Sequence, residues 1–260
     1  MQPPERTLFT EGRRERILAL LDAQANLRVA ELCQRFGVSA ATIRSDLRAL
    51  ARSGRLHRTH GGAMTLFKAG FEPTPQIKQG HHLTEKQRIA KFAATLVEEG
   101  DTVALDAGST TMELARALCE RKGLTVVTYD VEIATYLDAR SDAAVYLAGG
   151  QLRKGFNMAT GAMTVSAIRS LNVDIAFLGA NAFSMEKGFT TPKSELVEVK
   201  QALIAIANRS VALVDSGKLG RASFLKFADP RDVDMLVTDS GVPGKMADAI
   251  REGGLSLRVV

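Results

Sequence analysis

Two short amphipathic stretches on either side of residues 37–39 constrain the fold of this chain more than any other feature of its sequence. Apolar residues recur in them at helical spacing: Val29, Leu32 and Phe36 in the first stretch, and Ile43, Leu47 and Leu50 in the second. Gly37 suits the left-handed turn that ends a helix, and Ser39 can cap the start of the next helix. Two short helices joined by a tight turn that contains glycine predict a helix-turn-helix at about residues 27–46.

The second predicted helix carries a polar, positively charged face opposite its apolar stripe. The candidate contacts for a nucleic acid on or beside this face are Ser39, Thr42, Arg44, Ser45, Arg48 and Arg52. A helix that presents such a face to a major groove can set arginine side chains against guanine edges and phosphates. The alternative is a solvated cationic surface, and the spacing alone is compatible with both.

Residues 55–65 predict a wing beside the helix-turn-helix. Residues 55–60 alternate like a strand, Gly61 and Gly62 turn the chain, and residues 63–65 continue as a second strand. Such a wing can lie along the phosphate backbone of a duplex. Its candidate phosphate contacts are Arg55, Arg58 and His60.

The net positive charge of the chain belongs entirely to this N-terminal region. Residues 1–65 contain 11 Arg, no Lys and 6 acidic residues, and so account for the whole formal net charge of +5. The remaining residues hold equal numbers of basic and acidic side chains. A basic head on a neutral body is expected where only the head meets nucleic acid, so the charge distribution favours DNA binding.

Composition and cysteine usage argue against a membrane protein, a disulfide scaffold and a metal centre. No apolar run approaches the length of a membrane span, and the charged N-terminus is unlike a signal peptide, so we expect a cytoplasmic protein. Cys33 and Cys119 are far apart in the sequence. The four histidines lie between His57 and His82 without acidic partners at a fixed spacing. We therefore expect no disulfide, no metal ion and no cofactor.

The rest of the chain is predicted to form a linker and a second domain. Residues 1–65 are assigned to the head, residues 66–83, which contain prolines and glycines without a sustained period, to the linker, and residues 84–260 to the second domain. The predicted strands of that domain are 102–106, 124–128, 144–147, 175–178, 211–214, 235–238 and 255–259. The predicted helices begin at a Thr84 cap and at the turn 107–111, and then cover 131–139, 165–171, 195–208 and 245–252. This alternation predicts a mainly parallel α/β sheet covered on both faces.

Polar residues cluster where several of these strands end, which is where ligands bind in such sheets. Asp106 is followed by a turn of small residues, 107–111, that opens a helix. A helix N-terminus offers unpaired N–H groups and the positive end of the dipole, as a phosphate requires. An ordinary helix cap is the alternative. Gly149 and Gly150 follow the third strand, and Asp215 and Lys218 follow a later one, where Lys218 can pair with a phosphate or be a surface lysine.

Long segments of the chain also resemble a known family. The head resembles the DNA-binding domain of the DeoR family of bacterial transcription regulators in RxxRILALL, VAELCQRFGVSAATIRSDL and SGRLHRTHGGA. The second domain resembles the sensor domain of that family in EKQRIAKFAATLVEEGDTVALDAGSTT, LAGGQLRKGFNMATG and GFTTPKSELVEVKQALIAIANRSVALVDSGK. The resemblance covers nearly the whole chain from about Gly12.

The resemblance implies a sensor domain folded like ribose-phosphate isomerases and CoA transferases, with a phosphorylated sugar or polyol as its effector. It implies that the phosphate is held by Gly108, Ser109, Thr110 and Thr111, with Gly149, Gly150, Glu195, Lys200 and Lys218 around the pocket. Asp106, Tyr129 and Asp215 complete the candidate effector-binding residues. Ser45 stands where the family usually has a second arginine, so the resemblance does not predict the operator sequence. Tyr129 stands where the family commonly has asparagine, so the resemblance does not predict which sugar is bound.

These features predict a DNA-binding regulator, and specifically a repressor of a carbohydrate-catabolism operon that a phosphorylated sugar or polyol releases from operator DNA. We expect a homo-oligomer, a dimer or tetramer, because paired heads bind two half-sites. The alternative is an isomerase or transferase with Asp106, Glu195 or Asp215 as base and Lys200 or Lys218 as electrophile. A basic head has no purpose in such an enzyme, so a protein without enzymatic activity is preferred. A purely architectural DNA binder leaves the neutral α/β domain unexplained.

Overall fold

The computed structural model describes residues 9–24, 26–53, 55–64, 69–70 and 72–260, which group into two compact units, Met1–His81 and His82–Val260. We call the first the head and the second the sensor unit. No helix among the described residues is long and apolar enough to cross a membrane.

The head contains four helices and three short strands within its described residues. They are α1 (Thr10–Gln24), β1 (Asn26–Arg28), α2 (Val29–Phe36), α3 (Ala40–Arg52), β2 (His57–Thr59), β3 (Gly62–Met64) and α4 (Pro75–Gly80). β3 pairs antiparallel with both β1 and β2, and so forms the centre of a three-stranded sheet. The predicted six apolar positions of α2 and α3 are all buried, together with Ile17 and Leu21 of α1.

The turn between α2 and α3 has the predicted chemistry. Gly37 ends α2 in the left-handed conformation, with φ 64°. The hydroxyl of Ser39 accepts a hydrogen bond from the backbone N–H of Thr42 and caps α3. The two helices and the β2–β3 hairpin confirm the predicted winged helix-turn-helix.

The head also departs from the sequence-based expectations in three places. Strand β1 was not predicted, because three residues are too few to show a period. The first wing strand covers only His57–Thr59 of the predicted residues 55–60. Helix α4 lies within the predicted linker, where Pro75 occupies the first helical turn, a position that tolerates a missing N–H. Positions 25, 65–68 and 71, on which other parts of these predictions fall, lie outside the described residues.

The sensor unit is an α/β domain with six helices and twelve strands. Its helices are α5 (Leu83–Ala94), α6 (Ser109–Leu118), α7 (Val131–Arg140), α8 (Ala162–Arg169), α9 (Ser194–Ala205) and α10 (Gly244–Glu252). Its strands are β4 (Thr102–Leu105), β5 (Thr125–Thr128), β6 (Ala144–Leu147), β7 (Gln151–Arg153), β8 (Met158–Thr160), β9 (Val173–Gly179), β10 (Ala182–Ser184), β11 (Gly188–Thr191), β12 (Ala207–Leu213), β13 (Leu225–Ala228), β14 (Met235–Thr238) and β15 (Ser256–Val259).

Seven of these strands form a parallel sheet in the order β15-β14-β12-β9-β4-β5-β6. Large apolar clusters lie on its two faces, which confirms the predicted parallel sheet with a core on each side. From β4 the chain first builds outward through β5 to β6, and then returns to place β9 on the opposite side of β4. The crevice at the carboxyl ends of β4 and β9 is therefore the topological switch point, where open α/β sheets bind ligands.

Several predicted details of the sensor unit are wrong. The residue that precedes α5 is His82, in a left-handed conformation with φ 52°, and not Thr84. The helix predicted over residues 195–208 ends at Ala205, because residues from Ala207 onward pair with β9 as strand β12. The antiparallel hairpin of β7 and β8 and the small sheet β10-β11-β13 were not predicted, since these short strands do not take part in the alternation of strands with helices.

Candidate nucleic-acid interface and ligand site

The polar face of α3 and the wing present the predicted DNA contacts to solvent. Eight of the nine candidates are exposed, namely Ser39, Arg44, Ser45, Arg48, Arg52, Arg55, Arg58 and His60. The ninth, Thr42, is half-buried, and its hydroxyl lies 2.9 Å from that of Ser39 in the cap of α3. The exposed face combines arginines that can donate in pairs with small hydroxyl groups, which suits contacts to both bases and phosphates.

A buried ion pair fixes α3 against α1. The carboxylate of Asp46 lies 2.6 Å from Nε of Arg13 and 2.9 Å from Nε of Arg14. Asp46 and Arg13 are both buried, so the attraction between them offsets part of the cost of removing the two charges from water. Asp46 carries no sequence signal of this role, because a carboxylate among arginines on a helix is usually a solvated residue. Its role is to hold the orientation of the helix that carries Arg44 and Arg48.

Arg55 is engaged within the head rather than left free for DNA. Its guanidinium makes two bonds to Glu15, at 2.6 and 3.1 Å, and the hydrogen bond lowers the pKa of Glu15 below its ordinary value. Both side chains are exposed, so the pair is weak and can open. A phosphate contact by Arg55 therefore requires that Glu15 release it or share it.

At the switch point of the sensor unit, α6 begins with an open first turn. Gly108 precedes the helix with φ 153° and ψ 170°, a conformation that is essentially restricted to glycine. The first N–H groups of a helix have no acceptor within it, so those of residues 109–111 can bind an anion. Ser109 is half-buried, whereas Thr110 and Thr111 are buried. The hydroxyl of Thr111 donates to the carbonyl of Gly108 at 2.9 Å and so closes the first turn of the helix.

Three of the predicted pocket residues form a buried cluster beneath this turn. Asp106 accepts hydrogen bonds from the hydroxyl of Tyr129, from the ammonium of Lys200 and, at 2.7 Å, from the backbone N–H of Gly179. Lys200 also donates to the carbonyl of Gly179 at 2.9 Å. The polar atoms of the cluster are thus committed to one another, which removes Asp106 as a base and Lys200 as an electrophile for the enzyme alternative. Their roles as effector contacts stay predictions, and in this structure the three side chains hold one another in position.

A second charged cluster lies at the carboxyl ends of β12 and β14. The carboxylate of Asp215 is buried, and Nζ of Lys218 lies 3.1 Å from it. Burial by itself raises the pKa of Asp215, but the charges of Lys218 and Lys86 outweigh that effect and hold the pKa below its ordinary value. Lys218 remains partly exposed, so it can reach a ligand while Asp215 keeps it in place.

The loop that carries Lys218 packs against the first residue of the sensor unit. A Cβ atom at Gly217 would lie 3.2 Å from Nε2 of His82 and 3.2 Å from Oδ1 of Asp215. No local sequence pattern connects His82 with this loop, since the two are separated by more than half of the chain.

The predicted Gly149 and Gly150 lie between β6 and β7, beside the first turn of α8. The carbonyl of Gly149 accepts a hydrogen bond from Thr164 at 3.0 Å, and a Cβ at Gly150 would lie 2.8 Å from the carbonyl oxygen of Thr160. Glu195, at the start of α9, lies 3.3 Å from Nε of Arg153. The two glycines are thus fixed by close backbone approach, and Glu195 by an ion pair, and their place in a ligand site stays a prediction.

Asp130 is a further polar residue at this edge of the sheet that the candidate set left out. Its Oδ1 accepts from the backbone N–H groups of Glu132 and Ile133 and caps α7. Burial raises its pKa to about 6, although these two hydrogen bonds act in the opposite direction. An acidic residue directly before a predicted helix is an ordinary capping signal, and that signal identifies the position.

Comparison with known proteins gives the same two-part division. Residues 13–68 match the DeoR-like helix-turn-helix domain, and residues 81–240 match the DeoR C terminal sensor domain. The HTH-type transcriptional regulator GlpR of Haloferax volcanii is 35% identical over 245 residues, which cover 94% of this chain and 96% of that protein. The putative aga operon transcriptional repressor of Escherichia coli O157:H7 is 29% identical over 258 residues, with 98% and 96% covered.

Among solved structures, ribose 5-phosphate isomerase A from Methanocaldococcus jannaschii matches with a TM-score of 0.39 and 21% identity. The match covers 53% of this chain and 55% of the isomerase chain, so about half of each protein is compared.

The two family models account for both units, and the full-length relatives are named as transcription regulators rather than enzymes. The predicted family is thereby confirmed. The chain belongs to the DeoR family of DNA-binding transcription regulators.

Proposed function

We propose that this regulator represses a carbohydrate-catabolism operon and that a phosphorylated sugar or polyol releases it from operator DNA. The observation that carries the proposal is the open first turn of α6 at the switch point of the sheet. That turn offers backbone N–H groups and the positive end of a helix dipole to an anion. The name of the Escherichia coli relative, a putative repressor of an operon, supports the sign of regulation.

In this proposal the phosphate contacts the turn Gly108–Thr111 through backbone N–H groups and the hydroxyls of Ser109 and Thr110, and Lys218 supplies a charge. The ammonium of Lys218 is held by Asp215 at 3.1 Å and remains partly exposed. Gly149, Gly150 and Glu195 line the same edge of the site. Asp106, Tyr129 and Lys200 support the turn from below and take no part in direct binding.

The head recognises DNA through the exposed face of α3 and through the wing. Arg44 and Ser45 of α3 face the bases. Arg48 and Arg52 of the same helix face phosphates or bases, according to how deeply α3 enters the groove. Arg58 contacts the DNA from the wing. One such head reads only a short half-site. We therefore propose a homo-oligomer joined through residues 84–260, with residues 66–83 as the connection to the winged helix-turn-helix.

Release follows if the effector binds more tightly to the DNA-incompetent arrangement of the regulator than to the DNA-bound one. A coupling of about 1–3 kcal/mol changes operator affinity roughly 5- to 150-fold, and operator DNA must weaken effector binding by the same factor.

The test begins with an operator that the full chain selects from a randomised duplex library. Operator affinity is then measured at constant salt with a panel of phosphorylated sugars and polyols, each beside its unphosphorylated parent and beside inorganic phosphate. We expect at least one phosphorylated compound to weaken binding while its parent does not. Tighter operator binding with the effector reverses the sign of the proposal, and no response to any phosphorylated compound contradicts it.

A further inference from the structure

Asp215 is a buried carboxylate whose cation partner the proposed ligand draws away. Its Oδ2 lies 3.1 Å from Nζ of Lys218, and its side chain is 3% exposed, whereas that of Lys218 is 23% exposed. A phosphate that binds Lys218 pulls the ammonium towards itself. A buried carboxylate left without a donor is strongly destabilising, so another group must take over part of this contact.

The imidazole of His82 lies beside the same carboxylate. A Cβ atom at Gly217 would lie 3.2 Å from Nε2 of His82 and 3.2 Å from Oδ1 of Asp215, so both groups lie against one glycine. Lys218 contacts the other carboxylate oxygen, Oδ2. An imidazole can donate from Nε2 whether it is neutral or charged. His82 is therefore close to the carboxylate oxygen that Lys218 does not contact.

The charges around Asp215 support this relationship. Burial raises the pKa of this carboxyl, but the charges of Lys218, Lys86 and His82 outweigh burial and hold the pKa below its ordinary value. Lys86 is buried within α5, whereas His82 is half-buried and precedes the helix. Of these two groups, His82 is therefore the one with room to turn towards Asp215.

The loop around Asp215 is anchored from its other side. The N–H and the hydroxyl of Ser216 both donate to the buried carboxylate of Asp239, at 2.7 and 2.8 Å. A Cβ atom at Gly241 would lie 2.5 Å from the hydroxyl oxygen of Ser216, so the loop after β14 packs closely against this residue. The backbone next to Asp215 is thus held in place while the partners of its side chain exchange.

His82 also has an unusual backbone conformation. Its φ of 52° and ψ of 41° lie in the left-handed region, and Asn157 is the other residue besides glycine with a positive φ among the described residues. Histidine adopts this region more readily than most residues, yet the right-handed region is more favourable. The carbonyl of His82 accepts from the N–H of Lys86 at 3.0 Å, so the same conformation sets the start of α5. Contacts that keep the ring against the loop give this strained conformation a reason to persist.

We propose that His82 takes the place of Lys218 on Asp215 when Lys218 turns to a bound phosphate. The imidazole then donates to Oδ1 and compensates the buried carboxylate, so the ammonium of Lys218 leaves more easily. His82 is a positioning residue, because it acts on the phosphate through Lys218 and does not touch it. The exchange also makes the start of α5 depend on whether the site is occupied. The inference rests on the proposed function in taking Lys218 as the phosphate contact.

The first test is a double-mutant cycle of urea unfolding in the full chain without phosphate. All three tyrosines lie in the sensor unit, so tyrosine fluorescence follows the unfolding of that unit. His82→Phe keeps a ring without a donor, and Lys218→Ala removes the other partner of Asp215. We expect His82→Phe to raise the unfolding constant little in the wild type and roughly tenfold more in the Lys218→Ala background. Equal effects in the two backgrounds would overturn the exchange.

The second test is the affinity of the same proteins for inorganic phosphate, measured at constant ionic strength from the stabilisation of the sensor unit. We expect His82→Phe to weaken phosphate binding roughly tenfold, and His82→Gln, which keeps a donor, to retain most of it. In the Lys218→Ala background, His82→Phe should weaken phosphate binding no further. A purely structural role of His82 would instead give the same loss in both backgrounds.

Gly217→Ala tests the exchange without changing either partner. Its methyl group lies 3.2 Å from both His82 and Asp215, so we expect weaker phosphate binding in this variant also. Gly244→Ala is the matched control, because a Cβ atom there meets no other atom within 4 Å. Wild-type phosphate affinity in both His82→Phe and Gly217→Ala, or an equal loss in the control, would contradict the inference. A wild type that binds no phosphate but shows the expected coupling in urea would contradict the proposed function and leave the exchange at Asp215 standing.

Discussion

The hydroxyl of Tyr129 donates a hydrogen bond to the carboxylate of Asp106 in the interior of the sensor unit, where both side chains are shielded from solvent. Burial raises the pKa of Tyr129 well above its ordinary value, and the neighbouring charge of Asp106 raises it further. The phenol therefore stays protonated and remains a donor at neutral pH. Tyr129 thus completes the set of donors that also includes Lys200 and the N–H of Gly179.

Replacing Tyr129 should cost less stability than replacing Lys200. Tyr129→Phe removes one donor and leaves Asp106 with two, so we expect a loss of about 1–2 kcal/mol. Lys200→Met leaves a buried carboxylate without its charge partner, and we expect a loss of about 3–5 kcal/mol. Urea unfolding of the two variants measures the difference. A large change of effector preference in Tyr129→Phe with unchanged stability would show instead that the phenol contacts the ligand.

The capping carboxyl of Asp130 should make stability depend on pH between about 4 and 6. Its pKa rises from 3.8 in the unfolded chain to about 6 in the fold, so the folded protein holds a proton that the unfolded chain has lost in this window. The free energy of unfolding therefore decreases as the pH rises through this window. At neutral pH the ionised, buried Asp130 lowers the free energy of unfolding by roughly 3 kcal/mol relative to its value at low pH.

Asp130→Asn should remove that cost while keeping an oxygen that accepts from the first turn of α7. We expect the variant to be more stable than the wild type at neutral pH, by up to about 3 kcal/mol, and to lose this pH dependence. Thermal unfolding from pH 4 to pH 7 tests both statements. A variant that is less stable at neutral pH contradicts the burial argument.

The ion pair between α1 and α3 should matter far more than the exposed pair of the wing. Asp46→Asn removes the buried carboxylate that pairs with both Arg13 and Arg14, and we expect the head to lose about 3 kcal/mol or more. Glu15→Gln breaks only the exposed contact with Arg55 and should cost at most about 1 kcal/mol. Melting curves and operator affinity together decide this, since Asp46→Asn should lower both. Equal effects of the two substitutions would contradict the role assigned to Asp46.

The two central arginines of α3 should differ in how they affect DNA binding. Arg44→Ala should cost roughly 1–3 kcal/mol and relax the preference at one base position, if Arg44 reads a guanine. Arg48→Ala should weaken binding to all sequences alike and reduce the salt slope by about one, if Arg48 contacts a phosphate. Titrations at several salt concentrations on the selected operator and on a scrambled duplex separate these effects. Wild-type affinity in both variants would be incompatible with α3 as the recognition helix.

Sequence alone predicted the elements whose patterns are long enough to show a period. The apolar spacing of α2 and α3, the Gly37 and Ser39 caps and the alternation of strands with helices all belong to this class, because each is local along the chain. The missed strands have three or four residues and do not alternate with helices, whereas equally short strands of the parallel sheet were predicted from that alternation. The end of α9 was misplaced because pairing with β9, and not local propensity, decides where β12 begins.

The residues of the candidate site were easier to find than their partners. Strand ends located Asp106, Asp215 and Lys218, since parallel strands bring these ends to one edge of the sheet. The bond between Lys200 and Asp106 joins residues far apart in the chain, so it depends on strand order, which no local pattern encodes. Strand order also decides which predicted pocket residues bond to one another. The predicted set therefore includes Asp106, Tyr129 and Lys200 without any indication that their side chains form one buried cluster.

The central claim is that a ligand at the sensor unit controls the affinity of the head for DNA, and Lys218 tests it most directly. The measurement is operator affinity with and without the effector for the wild type, for Lys218→Ala and for Lys187→Ala, an exposed lysine of the same unit. We predict equal operator affinity for all three proteins without effector, a loss of roughly 5- to 150-fold with effector for the wild type and Lys187→Ala, and a much smaller loss for Lys218→Ala. Equal release of Lys218→Ala and the wild type by the effector would contradict this account of the site.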